Sequence, residues 1–211
     1  MINLIKRIMT LIFGNTLASL GITMIFNAGL GCFSVTAANM AVGNWLGVSL
    51  GTAGLIVELT LLAIATFRGE GIGFTSFCNA IYGSKLIDVF IPIVPHSMIL
   101  IPIGLFLSAI GWMYMGKAGY GDTGSNALMN SILKSSKMSI GKVRIIQEAV
   151  VLFIGFLGAR ESDTWITLLL VMTLGPILQF VYGLFKYDPT VINHQYLIKR
   201  GVKSKCLKST L

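Results

Sequence analysis

Charged residues are scarce in this chain, and their scarcity indicates the solvent in which it folds. Lysine, arginine, aspartate and glutamate together make up 11% of the 211 residues, whereas hydrophobic residues make up 55%. Soluble domains carry about 25% charged residues, so the composition excludes an ordinary water-soluble fold. The sequence predicts an all-α polytopic protein whose main partner is the lipid bilayer.

Cysteine and histidine are also few, and they are too scattered to predict a disulfide framework or a metal site. The chain contains Cys32, Cys78 and Cys206, together with His96 and His194. The motifs GxSxG and HExxH do not occur, so no common hydrolase site is indicated. We expect free thiols, no metal, no cofactor and no enzymatic activity.

Acidic residues number 8 against 16 basic ones, but the basic excess does not predict a nucleic-acid partner. The basic residues flank the apolar segments as the positive-inside rule describes for cytoplasmic loops. With the N-terminus in the cytoplasm, that side holds Lys6, Arg7, Arg68, Lys117, Lys134, Lys137, Lys142, Arg144, Lys186, Lys199, Arg200, Lys203, Lys205 and Lys208. The other side keeps Arg160 and His96, so both termini are expected inside. Residues 187–211 form a basic tail that either rests on anionic headgroups or is a solvated end.

Six segments are long and apolar enough to cross a hydrocarbon core of about 30 Å as helices. They are 8–28, 50–67, 72–94, 97–116, 141–159 and 165–185. The first segment follows Lys6 and Arg7, and this order of charged and apolar residues is also typical of a signal peptide. We expect it to be retained, because cleavage would remove the first helix of the repeat described next.

A shift of 90 residues aligns the chain with itself. The pentapeptide NAGLG at 27–31 falls on KAGYG at 117–121. Other pairs in this register are Gly14 with Gly104, Gly21 with Gly111, Glu58 with Glu148 and, after one inserted residue, Asp88 with Gln179. The sequence therefore predicts two related halves, 1–95 and 96–186.

Each half contains a long helix, a glycine break, a short polar helix and two more long helices. Because three spans are an odd number, the second half must enter the membrane from the opposite side, which gives inverted repeats of the kind found in many secondary transporters. An alternative count treats residues 33–50 as a fourth span and gives parallel repeats. We favour the inverted arrangement, because the matching stretch at 123–137 is too short and too polar to cross lipid.

The glycine breaks predict sharp turns into short re-entrant or amphipathic half-helices. Glycine tolerates positive φ, and the breaks contain Gly29, Gly31, Gly119 and Gly121. The expected caps are Ser34 or Thr36 in the first half and Asp122 or Thr123 in the second. Irregular backbone at membrane depth must be enclosed by protein or reached by water, so the breaks are expected to border a cavity. GYGDTG at 119–124 fits GxGxxG but follows a helix rather than a strand, which leaves only a helix N-terminus suited to an anion.

Ionisable side chains in the middle of a span indicate a functional site, because each costs at least about 2.5 kcal/mol there. Glu58 lies near the centre of the second span, and Glu148 lies one turn after Arg144, a spacing that allows an ion pair. We expect Glu58 and Glu148 to face one central cavity, where they bind a cation or relay a proton. The side chains expected beside them are Lys85, Asp88 and Gln179. In the alternative interpretation, Glu58 pairs with Lys85 across helices and only fixes the packing. Separately, the three-residue spacing of Lys85 and Asp88 on the third span predicts that they can neutralise each other.

The pattern resembles the YczE/YyaS/YitT family of bacterial integral membrane proteins. The likeness rests on NAGLGCFSVTAANMAVGNWLGVSLGTAGLIVELTLLAI at 27–64, on GIGFTSFCNAIYGSKLIDVF at 71–90 and on the second-half echo that begins KAGYGDTGSNALMN. Family members often carry a Gly-Pro pair before the ID of the third helix, where this chain has Ser84 and Lys85. The resemblance implies a multi-pass protein of the bacterial cytoplasmic (inner) membrane and no particular activity.

The sequence supports two functional hypotheses. The first is a secondary transporter or permease of a small polar or charged solute, in which one half rocks against the other around a central site. The second is a non-transporting membrane subunit that supports the assembly or regulation of a partner protein. A homo-oligomer is compatible with both.

Overall fold

The chain is almost entirely helical in its computed structural model, which describes residues 2–158, 164–189 and 196–198. The helices are α1 (Ile2–Asn27), α2 (Ser34–Leu46), α3 (Leu50–Phe67), α4 (Phe74–Cys78), α5 (Ser84–Phe90), α6 (Leu100–Lys117), α7 (Gly124–Ser135), α8 (Ile140–Gly158) and α9 (Thr164–Leu184). A π-helical turn, Asn79–Gly83, joins α4 to α5. Two short strands, β1 (Ile72–Gly73) and β2 (Tyr196–Ile198), pair antiparallel. Arg160, His194, Cys206 and most of the predicted basic tail lie outside the described residues.

Four helices in the described part of the chain are long and apolar enough to cross a bilayer. They are Leu4–Asn27, Leu50–Phe67, Leu100–Lys117 and Thr167–Leu184. The other two predicted spans differ from these. Helix α8 carries Lys142, Arg144 and Glu148, and the segment from α4 to α5 is interrupted by its π-helical turn. The prediction of an all-helical chain with apolar spanning helices is therefore confirmed for four of the six segments.

Helices α1 and α6 form the most extensive helix pair, and glycine permits their contact. A Cβ atom on Gly14 would lie 2.8 Å from the carbonyl oxygen of Gly111, and one on Gly21 would lie 2.5 Å from that of Gly104. The residue number rises along α1 as it falls along α6, so the two helices run antiparallel. Small residues allow such close backbone approach between apolar helices.

The remaining helix contacts come in matching pairs. Helix α2 packs on α8, and α3 packs on α7; α3 also packs on α5, and α8 on α9. At the start of α3, Gly51 lies against the carbonyl of Ser84 and the Asp88 carboxylate. At the start of α8, Gly141 lies against the carbonyl of Gly175 and the side chain of Gln179. Each contact thus has a counterpart at the position that the 90-residue repeat assigns to it.

The glycine breaks precede two short helices, as the sequence predicts. Helix α2 has 13 residues and α7 has 12, and Gly29 and Gly119 share a left-handed conformation, with φ of 72° and 74°. The predicted Thr123 cap is confirmed, since its hydroxyl accepts from the Asn126 amide at 3.2 Å. The caps predicted for α2 are wrong. Phe33 occupies the N-cap without a side-chain hydrogen bond, because Ser34 is already helical and its hydroxyl is used elsewhere.

Candidate functional site

A cavity of about 50 Å³ lies where the two halves meet, and both mid-helix carboxylates line it. Glu58 comes from the middle of α3 and Glu148 from the middle of α8. The first residues of the two short helices also border this space, including Val35 and Thr36 of α2 and Ser125 of α7. Such a volume holds a few water molecules or a small ion.

Each carboxylate reaches the amino end of the short helix that belongs to the other half. The Ser34 hydroxyl at the start of α2 donates a hydrogen bond to Glu148. At the start of α7, the Glu58 carboxylate lies against Gly124 and Ser125. A helix N-terminus carries a partial positive charge and unpaired amide groups, so it favours an anion at this position. The arrangement explains how the fold tolerates two carboxylates in its interior.

Glu148 is bound to Arg144 by an ion pair inside the protein. The Nε atom of Arg144 lies 2.7 Å from Oε1 of Glu148, and the two side chains are only 2% and 1% exposed. The guanidinium also donates to Ser125 Oγ at 3.1 Å and to Asn126 Oδ1 at 3.2 Å. Its carbon lies 4.9 Å from the centroid of the Trp112 ring, which adds a cation–π contact. The expected pair between Arg144 and Glu148 is therefore present.

Glu58 has a different environment: amides contact its carboxylate, and Arg144, which lines the same cavity, acts on it from beyond ion-pair distance. Nδ2 of Asn79 donates to Oε1 at 3.0 Å. Oε2 is inaccessible to solvent and lies over the first amides of α7, outside the geometry of a strict hydrogen bond. Among the described residues, no basic side chain lies within ion-pair distance of Glu58. The alternative in which Lys85 neutralises Glu58 is therefore wrong for this structure.

Amide and hydroxyl side chains complete the wall of the cavity beside Glu58. Asn39, Asn79 and Ser84 line it, and the Oδ1 atom of Asn39 is buried without a hydrogen-bond partner among the described residues. Trp112 contributes an aromatic surface. The sequence pattern does not predict these residues as part of the site. An amide inside an apolar segment, as at Asn79, is the signal that points to them, but a single sequence does not show which way such a side chain faces.

The three side chains expected beside the carboxylates do not line the cavity. Lys85 is exposed. Asp88 accepts from the Gly51 amide at 2.9 Å and from the Ser49 hydroxyl at 3.2 Å, so it stabilises the start of α3. Gln179 has the equivalent place at the start of α8. The expectation that Lys85 and Asp88 form an ion pair is also wrong, since the three-residue spacing does not overcome the attraction of Asp88 to a helix N-terminus.

The predicted glycines and Asp122 belong to the connections around the cavity rather than to its wall. Gly29, Gly31, Gly119 and Gly121 adopt positive φ in the two breaks. Asp122 is buried, and its carboxylate accepts from Asn130 Nδ2 at 2.6 Å. Burial and the nearby negative charge of Glu70 raise the pKa of Asp122 to about 7, while Lys134 and the Asn130 hydrogen bond act in the opposite direction. Asp122 is thus a buried acid that, like Glu70, does not line the cavity.

Residues 5–183 match a family of unknown function, DUF6198. The chain belongs to that family. The DUF6198 match contains Glu58, Arg144 and Glu148, and it ends before the basic tail. Searches of the curated proteins and of the solved structures found no match to this DUF6198 chain.

Proposed function

We propose that this protein is a secondary transporter or permease for a small polar or charged solute, and that the central cavity is its binding site. The observation that carries the proposal is reciprocal: a carboxylate from each half lines one cavity and lies at the short helix of the other half. A solute bound there would contact both halves at once. A movement of one half against the other would then change the access to the site.

The proposal includes six spans arranged as inverted repeats. The antiparallel contact of α1 with α6 supports it, since Gly14 and Gly21 meet the repeat partners of each other. The charged residues of α8 do not prevent it from spanning, because Arg144 and Glu148 face the protein interior. The segment from α4 to α5 continues into a helical turn, in which the amides of Ile93 and Val94 donate to the carbonyl of Phe90.

The proposed orientation places both termini in the cytoplasm of a bacterial cell. Arg68, at the end of α3, donates to Ser131 and Ser135 of α7 at 3.0 and 3.1 Å. These contacts support the assignment of the ends of α3 and α7 to one side of the membrane. At the opposite end, Asn27 donates to the carbonyls of Ile91 and Val94 at 2.8 and 2.7 Å. Relationship to the YczE/YyaS/YitT proteins is part of the same proposal.

In the proposed mechanism, the two carboxylates have different roles. Arg144 neutralises Glu148 and holds it against α2. Glu58 has no such cation within 4 Å among the described residues, so it is the group that exchanges a proton or binds a cation during transport. An ionisable group inside a membrane protein commonly serves this purpose in transporters.

A second candidate function is a non-transporting membrane subunit. The observation in its favour is the Arg144–Glu148 pair, which is fully enclosed and fixes the packing of α8 against α2 and α7. A scaffold needs such a pair but does not need a solute to reach Glu58.

The test uses the purified protein in liposomes that contain a pH-sensitive dye. Solutes are added one at a time, and movement of protons coupled to the solute is recorded. We expect at least one small polar or charged solute to change the internal pH with wild type and with Asp88→Asn, and not with Glu58→Gln. Asp88→Asn is the matched control, because it removes a carboxylate outside the cavity. If no solute changes the internal pH, and a membrane protein co-purifies with this protein in a fixed ratio, the results would favour the subunit hypothesis.

A further inference from the structure

At one pair of repeat-related positions that face the cavity, the two halves differ in charge. Gly54 lies four residues before Glu58, and Arg144 lies four residues before Glu148. The 90-residue repeat places Gly54 and Arg144 at equivalent points of α3 and α8, and both line the same cavity. The second half therefore carries a cationic side chain where the first half has only backbone.

The groups around Arg144 show how the second half holds a cationic side chain. Its guanidinium is bound by the Glu148 carboxylate, a hydroxyl oxygen of Ser125, an amide oxygen of Asn126 and the face of Trp112. Acidic, neutral-polar and aromatic groups thus converge on a planar cation with several N–H donors. The cation belongs to the protein itself.

The first half offers polar groups beside Gly54, namely Glu58, Asn39 and Ser84, but no basic side chain of its own. Apart from Glu58, these groups are not the repeat partners of the residues that hold Arg144. Glu58 supplies the carboxylate. Asn39 lies beside Gly54, where a methyl group would be 3.0 Å from Nδ2, the donor atom of the amide, and the acceptor of Asn39 is its Oδ1. Ser84 Oγ would be 3.4 Å from the same methyl group. Asn39 is only 6% exposed, and its Oδ1 accepts no hydrogen bond from the described residues. An unsatisfied buried acceptor is costly, so it marks a place for a donor.

We propose that the part of the cavity beside Glu58 and Gly54 binds a small protonated nitrogen cation, of the guanidinium or ammonium type, with Glu58 as its counter-ion as Glu148 is the counter-ion of Arg144. The inference deepens the proposed function, since it names the class of solute for that cavity. A cation of this class donates hydrogen bonds to Glu58, Asn39 and Ser84 and restores the charge balance that Arg144 provides at Glu148.

A metal cation fits the same place less well. Hard metal ions require oxygen ligands on most sides, whereas Ile22, Val35 and Ile87 form the apolar part of this cavity wall. A nitrogen cation needs acceptors on one side only and tolerates apolar and aromatic contacts on the other. The volume of about 50 Å³ limits the ligand to a small ion or to the head group of a larger molecule.

The test measures the thermal unfolding of the detergent-purified protein with guanidinium, methylammonium or sodium chloride at equal millimolar concentration. At about 100 times its Kd, a bound cation should raise the unfolding temperature by a few degrees. We expect guanidinium or methylammonium to do so with wild type and Asp88→Asn, and binding to weaken at least about 10-fold in Glu58→Gln. The proposal would be overturned if the cation raised the unfolding temperature equally in wild type and in Glu58→Gln, or if only sodium raised it.

Two further variants separate ligand binding from folding. Asn39→Leu keeps the size of the side chain but removes the acceptor. This variant should fold like wild type and bind the nitrogen cation more weakly. Arg144→Ala opens the equivalent place in the second half, so guanidinium should stabilise this variant more than it stabilises wild type. An Arg144→Ala protein with no additional response would contradict the equivalence of the two places.

Failure of this inference is distinguishable from failure of the proposed function. Uptake into liposomes is measured with the same cations. If a nitrogen cation binds in a Glu58-dependent manner but is not taken up, the binding site is supported and the transport proposal is contradicted. Transport of another solute, with no binding of any nitrogen cation, would remove only the inference made in this subsection.

Discussion

The two halves of the molecule have the same order of helices, but they distribute their polar residues differently. The positions where backbones meet are alike: Gly21 in one half corresponds to Gly111 in the other, and both lie against a glycine carbonyl. The positions that face the cavity are unlike. Gly54 corresponds to Arg144, and Asn39 corresponds to Met129 in the same register. The residues that pack the halves together are therefore the same in both halves, whereas residues that line the cavity, such as Gly54 and Asn39, differ between them.

The difference also explains how one cavity contains two carboxylates. If both had an arginine neighbour, the site would be filled by fixed ion pairs. If neither had one, two negative charges would have to share a small volume. With Arg144 on one side only, Glu148 is held in place while Glu58 remains available. The following predictions test this comparison between the halves.

Removal of Arg144 should have the largest effect on stability. Arg144→Ala leaves Glu148 charged and enclosed, and the loss of one partner from a buried pair costs about 3–5 kcal/mol. Glu58→Gln should cost less than about 1 kcal/mol, because Glu58 has no cationic partner within 4 Å among the described residues. The free energy of unfolding of both variants checks the comparison. The double variant Arg144→Met with Glu148→Met should recover most of the loss, and a failure to recover would show that the pair is not the cause.

Alanine at either glycine of the α1–α6 contact should destabilise the protein by a similar amount. In Gly21→Ala and Gly111→Ala, the new methyl group would lie 2.5 Å from backbone or side-chain atoms of the other helix. Overpacking of this kind costs about 1–3 kcal/mol. Gly183→Ala is the control, since a methyl group there meets no atom within 4 Å. A large cost at only one of the two contact glycines would contradict their equivalence.

The connection before each short helix should respond differently to pH. Asp122 and Cys32 occupy equivalent positions, and burial raises the pKa of Asp122 to about 7 and that of Cys32 to about 12. Because the folded protein holds the Asp122 proton more tightly than the unfolded chain does, the stability that Asp122 contributes is greatest below about pH 4. That contribution is lost as the pH rises through 7.

Unfolding of wild type and Asp122→Asn between pH 5 and pH 8 measures this effect. The stability of wild type relative to the variant should fall by on the order of 2 kcal/mol as the pH rises. Cys32→Ser should show no such pH-dependent difference, because the Cys32 thiol stays protonated over this range. A relative stability of wild type that rises with pH would contradict the assigned direction.

The glycine breaks and the Arg144–Glu148 pair could be predicted from the sequence because they depend on residues with strong local signals. Glycines at 29 and 119 favour a positive φ, and both have it. Likewise, the i, i+4 spacing of Arg144 and Glu148 brings their side chains together on one helix. The pairing of Asp88 was predicted wrongly, because the competing partner, the amide of Gly51, belongs to another helix. A spacing along one helix contains no information about such a partner.

The cavity wall was the least predictable part for a related reason. Asn39 and Trp112 lie on helices whose exposed and buried faces are both apolar in a membrane protein, so hydrophobic periodicity does not show which face points inward. The Asn79 side chain reaches Glu58 from the π-helical turn, and a π-helical turn changes the facing of the residues that follow it. Only the packed structure specifies these directions.

The smallest effect is expected at the partly exposed ion pair between Lys134 and Glu70. The two lie 2.8 Å apart, and the side chain of Lys134 is 47% exposed and that of Glu70 7%, whereas both members of the Arg144 pair are enclosed. Lys134→Asn introduces the residue found at the equivalent position of the first half, Asn44. We expect a loss of about 1 kcal/mol that decreases at high salt, because solvent reaches the Lys134 end of the pair and screens it. Unfolding at low and high ionic strength measures it. A loss above about 3 kcal/mol that does not respond to salt would mean that the unpaired, buried Glu70 carboxylate determines the cost, and the contrast between this pair and the enclosed Arg144 pair would no longer hold.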